Sequence, residues 1–126
     1  MTCDLCTQPG ATEWLESLDP ARDEPVMSAV LRVCDTGKPL DVREAAEALA
    51  AAELVASAAG EAPDDLPDAA REWVERHGVP DDTLVERALR AVRCVALDDV
   101  LREAHDEDWC DAVRDLRFRL GDILAE

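Results

Sequence analysis

The chain has 126 residues, 48% of them hydrophobic, and it carries 30 acidic against 13 basic residues for a net charge of −17. This length predicts one domain with a single core, and no apolar run reaches the roughly 20 residues that cross a bilayer. The negative charge disfavours nucleic acid and anionic membranes as partners. It leaves two explanations for the acids: solubility with helix capping, or attraction to a basic protein.

Acidic residues precede most of the apolar helical patterns along the chain. A carboxylate in that position accepts hydrogen bonds from free backbone N–H groups and faces the positive end of the helix dipole. Pro and Gly residues mark the helix ends. The pattern predicts helices at residues 11–18, from residue 23 to before Gly37, and at 42–59, 67–77, 83–96, 100–104 and 108–124.

The helix predicted at 42–59 is unusual in its content of alanine. Nine of its residues from Ala45 to Ala59 are alanine, so neighbouring helices can approach it closely on every side. No segment alternates with period two, so we expect no sheet. The sequence therefore predicts an all-α bundle of six or seven helices around this helix, as one domain over residues 1–126, with residues 1–9 irregular. The predicted core includes Trp14, Trp73, Leu89, Trp109, Val113 and Leu116.

The five cysteines form an odd set, which disfavours a disulfide framework. The start of the chain lacks a basic patch followed by an apolar segment, so we expect no signal peptide and a cytoplasmic protein. Cys3 and Cys6 have the C-x-x-C spacing with which two thiolates share one Zn²⁺. A zinc site there would need two further ligands. No strand precedes the motif, as a redox site would require.

Glu53 is an acidic residue on the central helix, among small apolar side chains. Burial there would suit either a structural ion pair or a general acid or base. The structural alternative has Glu53 paired with Arg90 or Arg93, or accepting from N–H groups of a neighbouring helix. No second acid or base is placed to work with it, and no nucleophile or phosphate-binding motif is present. We therefore expect no enzyme.

Two acidic patches and one aromatic residue are the candidates for binding a partner. Phe118 points away from the apolar stripe of its helix among charged residues, as an interface anchor would. The alternative is that the N-terminal segment covers it. The predicted contact residues are Glu103, Asp106, Glu107, Asp111, Asp64, Asp65 and Phe118.

The chain resembles the bacterial family known as domain of unknown function 4259. The similarity lies in Ala11 to Leu15 with Trp14, in the alanine-rich stretch containing Glu53, in Leu66-Pro67 with Trp73-Val74, and in 109–120 with its late Trp. The opening departs from the family, because Cys6-Thr7-Gln8-Pro9 stands where members have Phe-Asp-Asn-Asp. The resemblance implies an all-helical fold, with Trp14 and Glu53 as fixed points, and no activity.

The sequence as a whole favours a non-catalytic acidic module that binds a basic protein. An immunity-type inhibitor or a regulator of a basic partner would have these properties. The alternative is a small metal-binding protein with a zinc site on Cys3 and Cys6. We expect no other cofactor, and the sequence leaves the oligomeric state open.

Overall fold

A computed structural model describes residues 11–18, 24–33, 41–60, 67–104 and 107–125, which form seven α-helices and no strand. The helices are α1 (Ala11–Ser17), α2 (Glu24–Arg32), α3 (Val42–Ala58), α4 (Asp68–His77), α5 (Asp82–Ala96), α6 (Asp99–Ala104) and α7 (Glu107–Ala125). The prediction of an all-α bundle is confirmed. The segment at residues 1–9, predicted to be irregular, lies outside the described residues.

Helix α3 occupies the centre of the bundle. Twelve of its 17 residues are buried, and α1, α2, α4, α5 and α7 all pack against it. Alanine makes this possible, because a methyl group on each face lets neighbouring helices approach at short axial separation. The other close pairing joins α5 and α7, whose apolar stripes face each other.

Aspartate side chains begin three of the helices, as the sequence predicted. Asp41 accepts from the backbone N–H of Arg43 at 2.8 Å, and Asp81 accepts from that of Leu84 at 2.8 Å. Asp98 accepts from the N–H of Leu101 at 3.0 Å. Part of the acidic excess therefore serves to satisfy N–H groups that have no partner within the helix.

The core contains all but one of the residues predicted for it. Trp73, Trp109, Val113, Leu116 and Leu89 are buried. Trp14 is only partly buried, so its prediction as a core residue is wrong. It packs beside Ala11, Ala46 and Ala50 at the edge of the bundle, since the short α1 contacts mainly α3 and α4.

None of the described helices combines the length and apolarity that crossing a membrane requires.

The close packing around α3 predicts a steep cost for added volume. Ala51 is fully buried, and Ala51→Leu should lower the free energy of unfolding in urea by about 1–3 kcal/mol because the neighbouring helices must move apart. Ala125→Leu, at an exposed helical position, is the control and should change it by less than about 0.5 kcal/mol. An Ala51→Leu protein as stable as the wild type would contradict close packing at this position.

Candidate functional site

One exposed stripe of α7 gathers carboxylates around an aromatic side chain. Asp111, Asp115, Phe118 and Asp122 are four, three and four residues apart, a spacing that places them on one side of the helix. We call these four residues the Phe118 face. Phe118 lies at the centre of this face and is 67% exposed. The opposite side of α7 carries the buried stripe, so the helix is anchored by one face and presents the other.

Arginines on the same helix partly balance these carboxylates. Arg114 donates to Asp111 at 3.4 Å, and Arg119 Nε donates to Asp115 at 2.9 Å. No arginine of the described chain lies within ion-pair distance of Asp122. Exposed pairs within one helix contribute little to stability, and solvent screens them. The Phe118 face therefore keeps a net negative charge at its rim.

Beneath this face, Arg119 forms a buried ion pair with Glu53 of α3. Arg119 Nη1 and Nη2 donate to the two carboxylate oxygens of Glu53 at 2.5 and 2.8 Å. The side chains are 18% and 4% exposed, respectively. Two parallel charge-assisted hydrogen bonds are the strongest way in which these side chains pair. The ion pair joins the last helix to the central one.

This geometry corrects the prediction that Glu53 pairs with Arg90 or Arg93. Both arginines lie on the exposed side of α5, because the buried stripe of that helix falls at other positions. Arg119 precedes the buried Leu120 and lies at the edge of the apolar stripe of α7, from which its long side chain reaches α3. In the sequence, the sign of this contact was the position of Arg119 at the edge of an apolar stripe. Several other arginines have such a position.

The surroundings of Arg119 keep it charged. Burial on its own lowers the pKa of the guanidinium, but the hydrogen bonds and negative charge of Glu53, with those of Asp115, outweigh that effect and leave the pKa raised above its ordinary value. The guanidinium occupies both oxygens of Glu53. This arrangement favours the structural interpretation of Glu53 over an acid–base role.

Arg119 also connects the buried pair to the surface, since its Nε holds Asp115 of the Phe118 face. The guanidinium thus bridges one carboxylate in the core and one at the rim. A side chain fixed in this way loses less conformational entropy on binding than a free one. The α7 helix that carries the Phe118 face is therefore anchored to α3 through Arg119.

The structure describes some of the remaining predicted contact residues and not others. Glu103 on α6 and Glu107 in the first turn of α7 are exposed, as is Asp111. They support an acidic surface near the α6–α7 junction. Five predicted site residues lie outside the described residues: Asp64, Asp65, Asp106, Cys3 and Cys6.

The described residues contain no group of three or more His, Cys, Asp or Glu side chains that could hold a metal ion. Cys94 and Cys110 are half-buried and are not joined in a disulfide. The zinc site on Cys3 and Cys6, which lie outside the described residues, stays a prediction.

A stacked pair on α4 was not anticipated. The rings of Trp73 and His77 lie with centroids 4.4 Å apart and an interplanar angle of 17°. Their spacing of four residues was the available signal. His77 also lies in the last turn of α4. The stack fixes its ring against the buried indole as well.

Comparison with known proteins identifies the family. Residues 9–116 match the family described as Domain of unknown function (DUF4259). The chain belongs to this family. The match includes Trp14, Glu53 and Trp109, and ends before Phe118 and Arg119, so one half of the buried ion pair lies inside it and the other half beyond it. Neither the curated proteins nor the solved structures include a match to this chain.

The buried pair predicts a large effect from removing one partner. Glu53→Ala should lower the free energy of unfolding by about 3 kcal/mol, because the charge of Arg119 is left buried without compensation. Glu72→Ala removes the exposed contact to Arg76 at 3.9 Å and should cost less than about 1 kcal/mol.

Replacing both charges provides the decisive control. Glu53→Leu combined with Arg119→Leu should recover most of the lost stability in the same denaturation experiment, since no unpaired charge remains. A double variant less stable than Glu53→Ala would show that the ion pair itself, and not the unpaired charge, determines the effect.

Proposed function

We propose that this protein is a non-catalytic acidic module that binds a basic protein through its Phe118 face. The observation that carries the proposal is the position of Phe118, 67% exposed at the centre of a stripe of three carboxylates. Aromatic side chains dominate the energetics of protein interfaces, and charges at the rim select and steer the partner.

Phe118 differs from the other exposed apolar side chains of the described chain. Those are the aliphatic Leu31, Val42, Val79 and Leu97. An aromatic ring offers a larger apolar area than an aliphatic side chain and has few rotatable bonds. Its burial at an interface therefore contributes more to the binding free energy and costs less conformational entropy. Single exposed aliphatic residues are common on protein surfaces and require no partner.

The charge of the whole chain indicates the kind of partner. A net charge of −17 produces a field that attracts basic proteins and raises their rate of association. An immunity-type inhibitor or a regulator covering a basic site would use such a field. We propose the cytoplasm as the place of action, since the odd set of cysteines suits a reducing compartment.

Capture from bacterial lysate on immobilised protein tests the proposal. The wild type and Leu97→Ala, a control at an equally exposed apolar position, should retain the same basic proteins, quantified by mass spectrometry. Phe118→Ala should reduce that retention about tenfold or more, the effect of losing an interface anchor. Retention should also fall as salt rises. Capture that is insensitive to both Phe118→Ala and salt would refute this function.

The spacing of Cys3 and Cys6 supports the alternative, a zinc-binding protein. Metal analysis of the purified full chain separates the two. Under the proposed function we expect far less than one zinc ion per chain, with no change in Cys3→Ser. One tightly held zinc ion, lost in Cys3→Ser and kept in the control Cys94→Ser, would instead establish the alternative.

A further inference from the structure

The arginines of this acidic protein are unevenly paired. Six arginines of the described chain lie within ion-pair distance of a carboxylate: Arg32, Arg43, Arg71, Arg76, Arg114 and Arg119. By contrast, four arginines have no ion pair with any described residue, although acidic residues outnumber basic ones by more than two to one: Arg87, Arg90 and Arg93 of α5, and Arg117 of α7. Helix α5 thus presents a basic surface on an acidic protein.

Two of these arginines border a groove. An open groove of about 360 Å³ lies between α2 and α5, and the described residues that line it are Val30, Leu31, Thr83, Glu86, Arg87 and Arg90. We call it the α5 groove. On the α2 side, Leu31 is 42% exposed and supplies the accessible apolar surface of the groove, whereas Val30 is fully buried beneath it. Two guanidinium groups against one carboxylate leave its α5 side with a net positive charge.

The surface that complements this groove is on the same chain. The Phe118 face has an aromatic side chain where the groove has the exposed aliphatic side chain of Leu31, and it has a negative rim where the groove is positive. Asp122 on that face and Arg87 and Arg90 in the groove all lack an ion pair among the described residues. Apolar anchors surrounded by complementary charge are the usual composition of a specific interface.

We propose that the Phe118 face of one copy of this protein docks in the α5 groove of a second copy. The inference rests on the proposed function in using the same face, and it names a basic surface that this face can bind. The two surfaces differ from each other, so the contact is of face to groove. Self-association would also cover Phe118 until a basic partner displaces the second copy.

Such an association is weak by its physical nature. One helix face in an open groove buries an area at the low end of specific interfaces. Two copies of charge −17 repel each other, but charges separated by more than about 8 Å are largely screened at physiological ionic strength, whereas contacts at the interface are not. Association should therefore become visible at high protein concentration and physiological salt.

Sedimentation velocity over a range of protein concentrations tests the proposal. The wild type should show a concentration-dependent increase in mass. Phe118→Ala, and separately Arg87→Ala with Arg90→Ala, should each weaken self-association about tenfold or more. Arg71→Ala with Arg76→Ala is the matched control, because it removes the same charge from two exposed positions on α4 and should associate as the wild type does.

Mixing the two defective proteins provides the sharpest result. Phe118→Ala keeps its groove and the double arginine variant keeps its Phe118 face, so an equimolar mixture should form dimers that neither forms alone. A wild type that stays monomeric, or a mixture that associates no better than its components, would overturn the proposal.

Lysate capture separates this inference from the proposed function. The double arginine variant should capture basic proteins at least as well as the wild type, because its Phe118 face is intact. If the wild type does not self-associate but Phe118→Ala still loses the captured proteins, self-docking is wrong and the proposed function stands. If Phe118→Ala loses neither property, both are wrong.

Discussion

Close packing around α3 is the constraint on which the rest of the structure depends. The methyl groups of its alanines allow five helices to approach one axis, so little space is left around the side chains of α3. A charged side chain in such an environment needs a partner that fits the remaining space. Glu53 meets this requirement through the planar guanidinium of Arg119, which satisfies both carboxylate oxygens at once.

The same arginine relates the interior to the surface. Arg119 donates to Glu53 from its two Nη atoms and to Asp115 from its Nε, so one guanidinium links the central helix to the rim of the exposed stripe on α7. A binding surface built on a rigid helix and fixed from beneath is preorganised. In this arrangement, the buried charge connects the fold to the surface proposed for binding, and Phe118 itself can remain exposed.

The charged side chains of this protein have different roles in different parts of the structure. Some carboxylates cap helices, some form pairs with arginines on exposed helix faces, and those around Phe118 lie beside an apolar anchor. The three arginines of α5 depart from this pattern, as does Arg117 of α7, since none of them has an ion pair with any described residue. Although the net charge is −17, the protein therefore has two local surfaces of opposite charge, the Phe118 face and the α5 groove. Local surfaces determine contacts at short range, while the net charge governs the approach at long range.

The sequence by itself determined the helical class, the central place of the alanine-rich helix and most of the core, since periodicity, capping and residue volume are local properties. Helix ends predicted from capping residues, such as Asp41 and Asp81, lie within a residue of those observed. Only the tertiary structure decided which arginine reaches Glu53 and that Trp14 stays partly exposed. Both depend on how separate helices are rotated and spaced against one another, and no local pattern contains that information.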